Sequence, residues 1–287
     1  MAKRNYYALV AGLPDIVPEE KRSLFSSVAF RQLLSEHLHP EDLRLAELFY
    51  LPFDHFNLLN LLFDRNMEWD ERGNYSRESL ELLKDRKSLE NEDLSDFPTY
   101  LVDFASSFFS EDAPSDYYTA EMRLTLAYIN YLEQSPNEFV RKYAAYQMNV
   151  GNVMAALNGR KHNIPFENAL VGDNDIVAAL KKSRARDFGL AAELPEIEQL
   201  IQIFEINDLL ERELKLDYYK WEYLDEISFF DYFTIERVLV FLLKLFMAER
   251  WSALDFEKGK EMFNRLLKEF ETGFQFPAEF TVAYGKK

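Results

Sequence analysis

Four histidines and no cysteine leave this chain few residues able to do chemistry. His37, His39, Glu41 and Asp42 lie together in the run EHLHPED, and imidazole and carboxylate groups so close suggest a divalent-metal site. Pro40 interrupts the run, and alternate residues leave a helix in different directions, so the group reads as a solvated helix end. Asp54 and His55 are neighbours, but adjacency alone does not build a catalytic triad. His162 follows a basic helix end in GRKHN, where it favours the helix dipole rather than acid–base work. Thiolate zinc sites, disulfides and cysteine nucleophiles are excluded together, and a chain without cysteine fits a reducing compartment.

One enzyme class suits a helical, acidic chain: the terpene-synthase type, which holds diphosphate through magnesium on aspartate-rich motifs of facing helices. Asn207-Asp208-Leu209-Leu210 begins like the second of these motifs, but Glu211 stands at its hydroxyl position and Lys215 at its acid. The chain has no DDxxD, no GxxxxGK, no GxGxxG and no GxSxG, and its nine glycines leave little room for such loops. We therefore expect no catalytic, cofactor-binding or metal-binding residues. The alternative kept open is a helical enzyme acting on an isoprenoid or other hydrophobic substrate.

The elements that would position any site are helical. With 25 Phe and 16 Tyr but few Gly or Pro among 287 residues, the chain suits bulky cores joined by short connections. A net charge of −17 opposes a phosphate backbone, so nucleic acid is not an expected partner. The stretch Asp231–Phe270 opens with the longest apolar run. Ile235, Val238, Leu239, Leu242, Leu245 and Phe246 share one helix face, and Arg237 and Lys244 mark a narrow polar stripe. A helix apolar nearly all round is surrounded by other helices or by lipid. Glu236, Arg237, Lys244, Glu249 and Arg250 break the run short of a membrane span, so a central core helix is expected.

Along the rest of the chain, helices are expected from Leu24 to Leu38, Glu41 to Phe49 and Phe53 to Asn66. Lys84–Asp96 reads as a charged surface connection, and Pro98 as the first residue of a helix. Ser135-Pro136-Asn137-Glu138 combines a serine cap, a proline at the first position and a glutamate three residues on, a specific helix start. Asn158-Gly159 reads as that helix's stop. Pro195 opens a helix carrying Ile197 through Leu210, and an aromatic segment from Asp217 leads into the core helix. Residues 262–270 form a last amphipathic helix. YYALVAGL (6–13) is either a strand or a helix start, and alternation at Phe280, Val282 and Tyr284 suggests a strand it would pair with. The expected fold is all-α, with about a dozen helices and a short strand pair as an option at the termini. Pro14, Asp15 and Pro18 end the N-terminal apolar patch too early for a signal peptide, so a cytoplasmic chain is expected.

Two stretches look alike. Asn57-Leu58-Leu59-Asn60-Leu61-Leu62 and Asn149-Val150-Gly151-Asn152-Val153-Met154 share two asparagines three apart among apolar residues. A buried amide needs partners, so these are either a repeated structural device or two ordinary surface pairs. At these positions the sequence resembles the rotor-adaptor family of the V-type ATPases, the C-type subunits of archaeal and bacterial enzymes and the d-type subunits of eukaryotic ones. NVMAALNGRK (152–161), preceded by RKYAAYQM, resembles that family's repeated helix and basic turn, and FDHFNLLNLLFDRN its first copy. TIERVLVFLLKLF with AERWSALDFEKGK is similar to the third. More narrowly, YYALVAGLPDI resembles an uncharacterised bacterial subfamily associated with Bacteroidetes-type V-ATPase operons.

The resemblance implies a funnel-like array of three related helical units, about 1–95, 96–190 and 191–287. It implies a non-catalytic adaptor coupling the central-stalk subunits of a V-type ATPase to the membrane rotor ring during proton or sodium translocation. Such a protein would be cytoplasmic and peripheral to the inner membrane, with no direct membrane span and no cofactor. The partner-binding candidates are Arg160 and Lys161 in the basic turn, and Arg237 and Lys244 facing a cavity or a partner.

Overall fold

The computed structural model describes residues 4–14, 16 and 26–253. Among them the chain forms thirteen α-helices, one short 3-10 turn and no strand, so the all-α expectation holds. YYALVAGL is helical, as α1 (Tyr7–Ala11). The strand suggested at 280–284 and the amphipathic helix at 262–270 lie outside the described residues. Next come α2 (Ser27–His37), α3 (Pro40–Leu48) and α4 (Leu51–Leu62), then the short α5 (Arg77–Lys84) and α6 (Arg86–Asn91). They are followed by α7 (Thr99–Ser107), α8 (Tyr117–Glu133) and the longest helix, α9 (Glu138–His162). The described chain ends with α10 (Asp175–Lys182), α11 (Ile197–Glu205), α12 (Leu209–Ile227) and α13 (Ile235–Ala253). No described helix is long and apolar enough to cross a membrane.

Side-chain caps start most of these helices, each satisfying an N–H that the first turn leaves without a partner. Ser26 accepts from Ala29, Asp116 from Thr119 and Asn174 from Val177. For α9 the cap is Asn137, which accepts from Val140, while Ser135 accepts the N–H of Asn137 at 3.3 Å. The start signal is therefore real but acts two residues later than the serine suggests. Asn158-Gly159 does not stop α9. The helix runs on to Asn163, whose left-handed backbone (φ 54°) ends it. Gly159 is buried because the Phe166 ring packs on it, and a Cβ there would lie 2.4 Å from that ring. The helix expected after Pro195 is two helices, because Ile206 turns extended and Asp208 caps α12.

Helix α13 takes the central place expected of it. Val238, Leu239, Val240, Leu242, Leu243 and Leu245 are buried round most of its circumference. They pack with Phe30 and Leu34 of α2, Leu45 and Ala46 of α3, and Val140 and Tyr143 of α9. Phe241 meets Phe30 edge-on at 4.9 Å, and Phe246 meets Tyr50 at 5.1 Å. Fully burying one such side chain stabilises by about 1.5–3 kcal/mol, so this helix carries much of the fold. A second core joins α9 to α10, α11 and α12 around Leu180, Phe188 and Leu200. A third joins α4 to α5, α7 and α8 around Leu58, Leu80, Leu101 and Leu124.

Candidate docking surfaces

The histidine group does four separate local jobs. His37 bonds the carbonyl of Leu33 in its own helix at 2.9 Å, and His39 caps α3 by accepting from Glu41 N–H at 3.3 Å. Glu41 pairs with Arg4 at 2.7 Å, while the buried Asp42 accepts from the Tyr6 hydroxyl. Among the described residues no three His, Cys, Asp or Glu side chains are placed to hold a metal ion. Asp54 and His55 point to different partners. Asp54 serves the loop after α4, and burial pushes its carboxyl up to about 6. His55 is buried against Tyr100, 2.6 Å from the hydroxyl, and burial pushes its imidazole down to about 3. Asp208, first residue of the supposed metal motif after Asn207, accepts from Glu211 N–H at 2.8 Å as a helix cap.

The four partner-binding candidates fall in two places. Arg160 donates to the carbonyls of Ser183 and Ala185 and lies 3.5 Å over the Phe188 ring. It thereby closes the loop after α10, and partial burial lowers its pKa. Lys161 is exposed, with its ammonium 5.2 Å from the Phe204 ring. Arg237 and Lys244 share one carboxylate, that of Asp225 on α12. Lys244 lies at 2.6 Å and Arg237 at 3.7 Å. Lys244 is mostly buried, 4.5 Å from the Trp221 ring, and burial lowers its pKa although Asp225 opposes this. Arg237 is exposed.

The asparagines belong to the architecture. The Asn57 amide donates to Asp70 O and accepts from Asp70 N–H, both at 2.9 Å. Asn152 makes the same pair of bonds to Val171, at 2.7 and 2.8 Å. Each buried amide thus behaves as a strand-like partner for the loop that follows its helix.

The aromatic segment that leads into the core helix ends in an exposed surface at the turn between α12 and α13. Phe229, Phe230 and Tyr232 are 64%, 82% and 63% exposed, and Phe233 is also exposed. The turn is nevertheless fixed. Buried Ser228 donates to Leu224 O at 2.7 Å, Asp231 N–H donates to Ser228 O at 2.9 Å, and Tyr6 N–H donates to Phe233 O at 2.7 Å. Tyr7 meets Phe233 at a tilt, ring centroids 4.8 Å apart, extending the patch onto α1. Its signal was in the sequence: FFDYF carries four aromatics in five residues, at a turn rather than on a helix face.

The chain belongs to the family described as a protein of unknown function, DUF2764, whose profile matches residues 1–274. This corrects the resemblance to the rotor-adaptor family of the V-type ATPases, since the match over nearly the whole chain is to a different family. The motifs behind that resemblance were short apolar helix patterns with scattered Asn and Arg, which packing alone can produce in an all-α protein. No curated protein and no solved structure matches the chain.

Proposed function

We propose that this chain is a non-catalytic docking adaptor that holds a partner protein on the aromatic turn 229–233. The observation that carries this is the pairing of strong exposure with a fixed backbone. Large aromatics anchor interfaces when a partner covers them, and a turn already tied at both ends loses little freedom on binding. The surrounding chain is acidic, at −17 overall, which favours a partner with a basic rim round an apolar centre. Exposed Arg237 stands at the foot of the same turn, where it would sit at the edge of the contact.

The first partners to test are the central-stalk subunits and membrane rotor ring of a V-type ATPase, as a peripheral association on the cytoplasmic side. The experiment is co-isolation of the tagged chain from a native membrane fraction, with a Phe229→Ser/Phe230→Ser variant beside it. Loss of a specific partner, with an unchanged thermal midpoint, supports the docking turn. Equal recovery of the partner by the variant overturns it. Arg237→Glu should weaken the same association by a smaller factor.

A further inference from the structure

A groove of about 650 Å³ opens where α4, α8, α9, α12 and α13 come together. Its size lies inside the range of small-ligand sites, roughly 300–1,000 Å³. The walls are largely apolar. Phe53 and Phe246 meet edge-on at 5.0 Å, and Leu132, Leu243 and Met247 lie buried along the groove. Five charged side chains line it, and four of them are already matched. Asp217 accepts from Arg250 and from the Trp251 indole. Glu249 accepts from the N–H and hydroxyl of Ser27 at 2.6 and 2.7 Å, and Arg72 pairs with Asp70 at 2.6 Å.

The fifth is Lys220. It is half-buried, with its ammonium 5.2 Å from the Tyr143 ring that also lines the groove. Among the described residues no carboxylate lies within ion-pair distance of it, in a chain with 50 acidic and 33 basic residues. Its ammonium stands beside an apolar wall, and a ligand anion would supply the counter-charge that no described carboxylate gives it.

We infer that this groove binds a medium- or long-chain monocarboxylate, its head on the Lys220 ammonium and its chain along Phe53, Phe246 and Met247. A single cation favours a single negative charge. A phosphate dianion would place a second charge near Asp217 and Glu249, which line the same space. The apolar walls favour an alkyl chain over a polar metabolite. This site is separate from the aromatic turn and does not rest on the docking proposal.

Calorimetric titration of the full chain with decanoate, below its micelle concentration, tests the assignment. Decanoate should saturate at one per chain, whereas acetate should not bind and decanol should bind about tenfold more weakly, the worth of one charge-assisted contact. Lys220→Met should lower decanoate affinity to that of decanol. Gln147→Trp, on an exposed position at the groove wall, should block the site even if Lys220→Met fails to fold. The Phe229→Ser/Phe230→Ser variant should bind decanoate as the unaltered chain does. No saturable binding, or equal binding of decanoate and decanol, overturns the proposal, as does decanoate binding that Gln147→Trp leaves unchanged.

Discussion

Helices α4 and α9 hold their following loops by one device built from different parts. In each, an asparagine amide pairs with both backbone groups of one loop residue, Asp70 for Asn57 and Val171 for Asn152. Three residues earlier a second side chain reaches the start of the next helix. Asp54 accepts from Asn74 Nδ2 at 2.9 Å, and Asn149 accepts from Asn174 Nδ2 at 2.9 Å. A glycine stands in each loop, Gly73 against Asp54 and Gly172 against Met148. The loops themselves differ in length and residue type. What the two share is a hydrogen-bonding pattern, and that pattern can persist when the amino acids carrying it do not. The difference is one charge: the first clamp contains a carboxyl, and the second is neutral.

If the clamps are equivalent, breaking them should cost alike. Asn57→Leu and Asn152→Leu each leave a backbone N–H and C=O inside without partners, a loss of about 3 kcal/mol apiece by urea denaturation. A cost confined to one site would end the equivalence. The carboxyl should show as a pH effect of nearly the same size. Burial raises Asp54 to about 6, above the roughly 3.9 of an unfolded chain, so the folded state holds the proton more tightly. Its stabilising contribution is complete below about pH 4 and is lost as pH rises through 6, about 2–3 kcal/mol in all. Asp54→Asn, which copies Asn149, should remove that slope between pH 4 and 6.

The glycines come next. A Cβ on Gly73 would lie 2.5 Å from Asp54 Oδ1, and that carboxyl is held by Asn74 and Tyr75. Gly172 has φ +83°, with Met148 Sδ 2.7 Å from the added carbon. Alanine at either should cost about 1–2 kcal/mol, with Gly73 the more costly because Met148 can turn aside. The smallest effect has the opposite sign. Asn60 is buried, and among the described residues neither amide atom has a hydrogen-bond partner. Asn60→Leu should therefore stabilise by about 1 kcal/mol, although it lies one turn from an asparagine whose loss is damaging. A destabilised Asn60→Leu would show that this amide has a role the clamp does not explain.

That contrast also shows what the sequence made legible. Apolar spacing placed the central helix and most of its neighbours, because burial imposes a period that can be counted. The two asparagine pairs were visible too, but spacing aligned Asn57 with Asn149 and Asn60 with Asn152. The contacts instead match Asn57 with Asn152 and Asp54 with Asn149, three residues out of that register. A carboxylate and an amide can accept the same bond, so the true match was hidden behind a change of residue type. Asn158-Gly159 misled for a related reason: the dipeptide favours a turn locally, but a ring packed on the glycine overrides it. The aromatic turn was visible as the run FFDYF, but its exposure was not, since a run of Phe and Tyr reads equally as core. Lys220 was illegible as well, because the lack of a carboxylate beside it among the described residues depends on which helices meet there.

The position of Asn158-Gly159 inside α9 has a chemical consequence over long times. In a loose loop this dipeptide is a favoured place for deamidation, because the side-chain carbonyl carbon is attacked by the next residue's backbone nitrogen. Helical geometry keeps that nitrogen out of reach, and Asn158 Nδ2 is also bonded to Met154 O at 3.0 Å. The labile amide is thus protected only as long as the last turns of the helix stay wound. Isoaspartate accumulating at 158 during storage, read by mass spectrometry, would serve as a clock for how often that helix end opens.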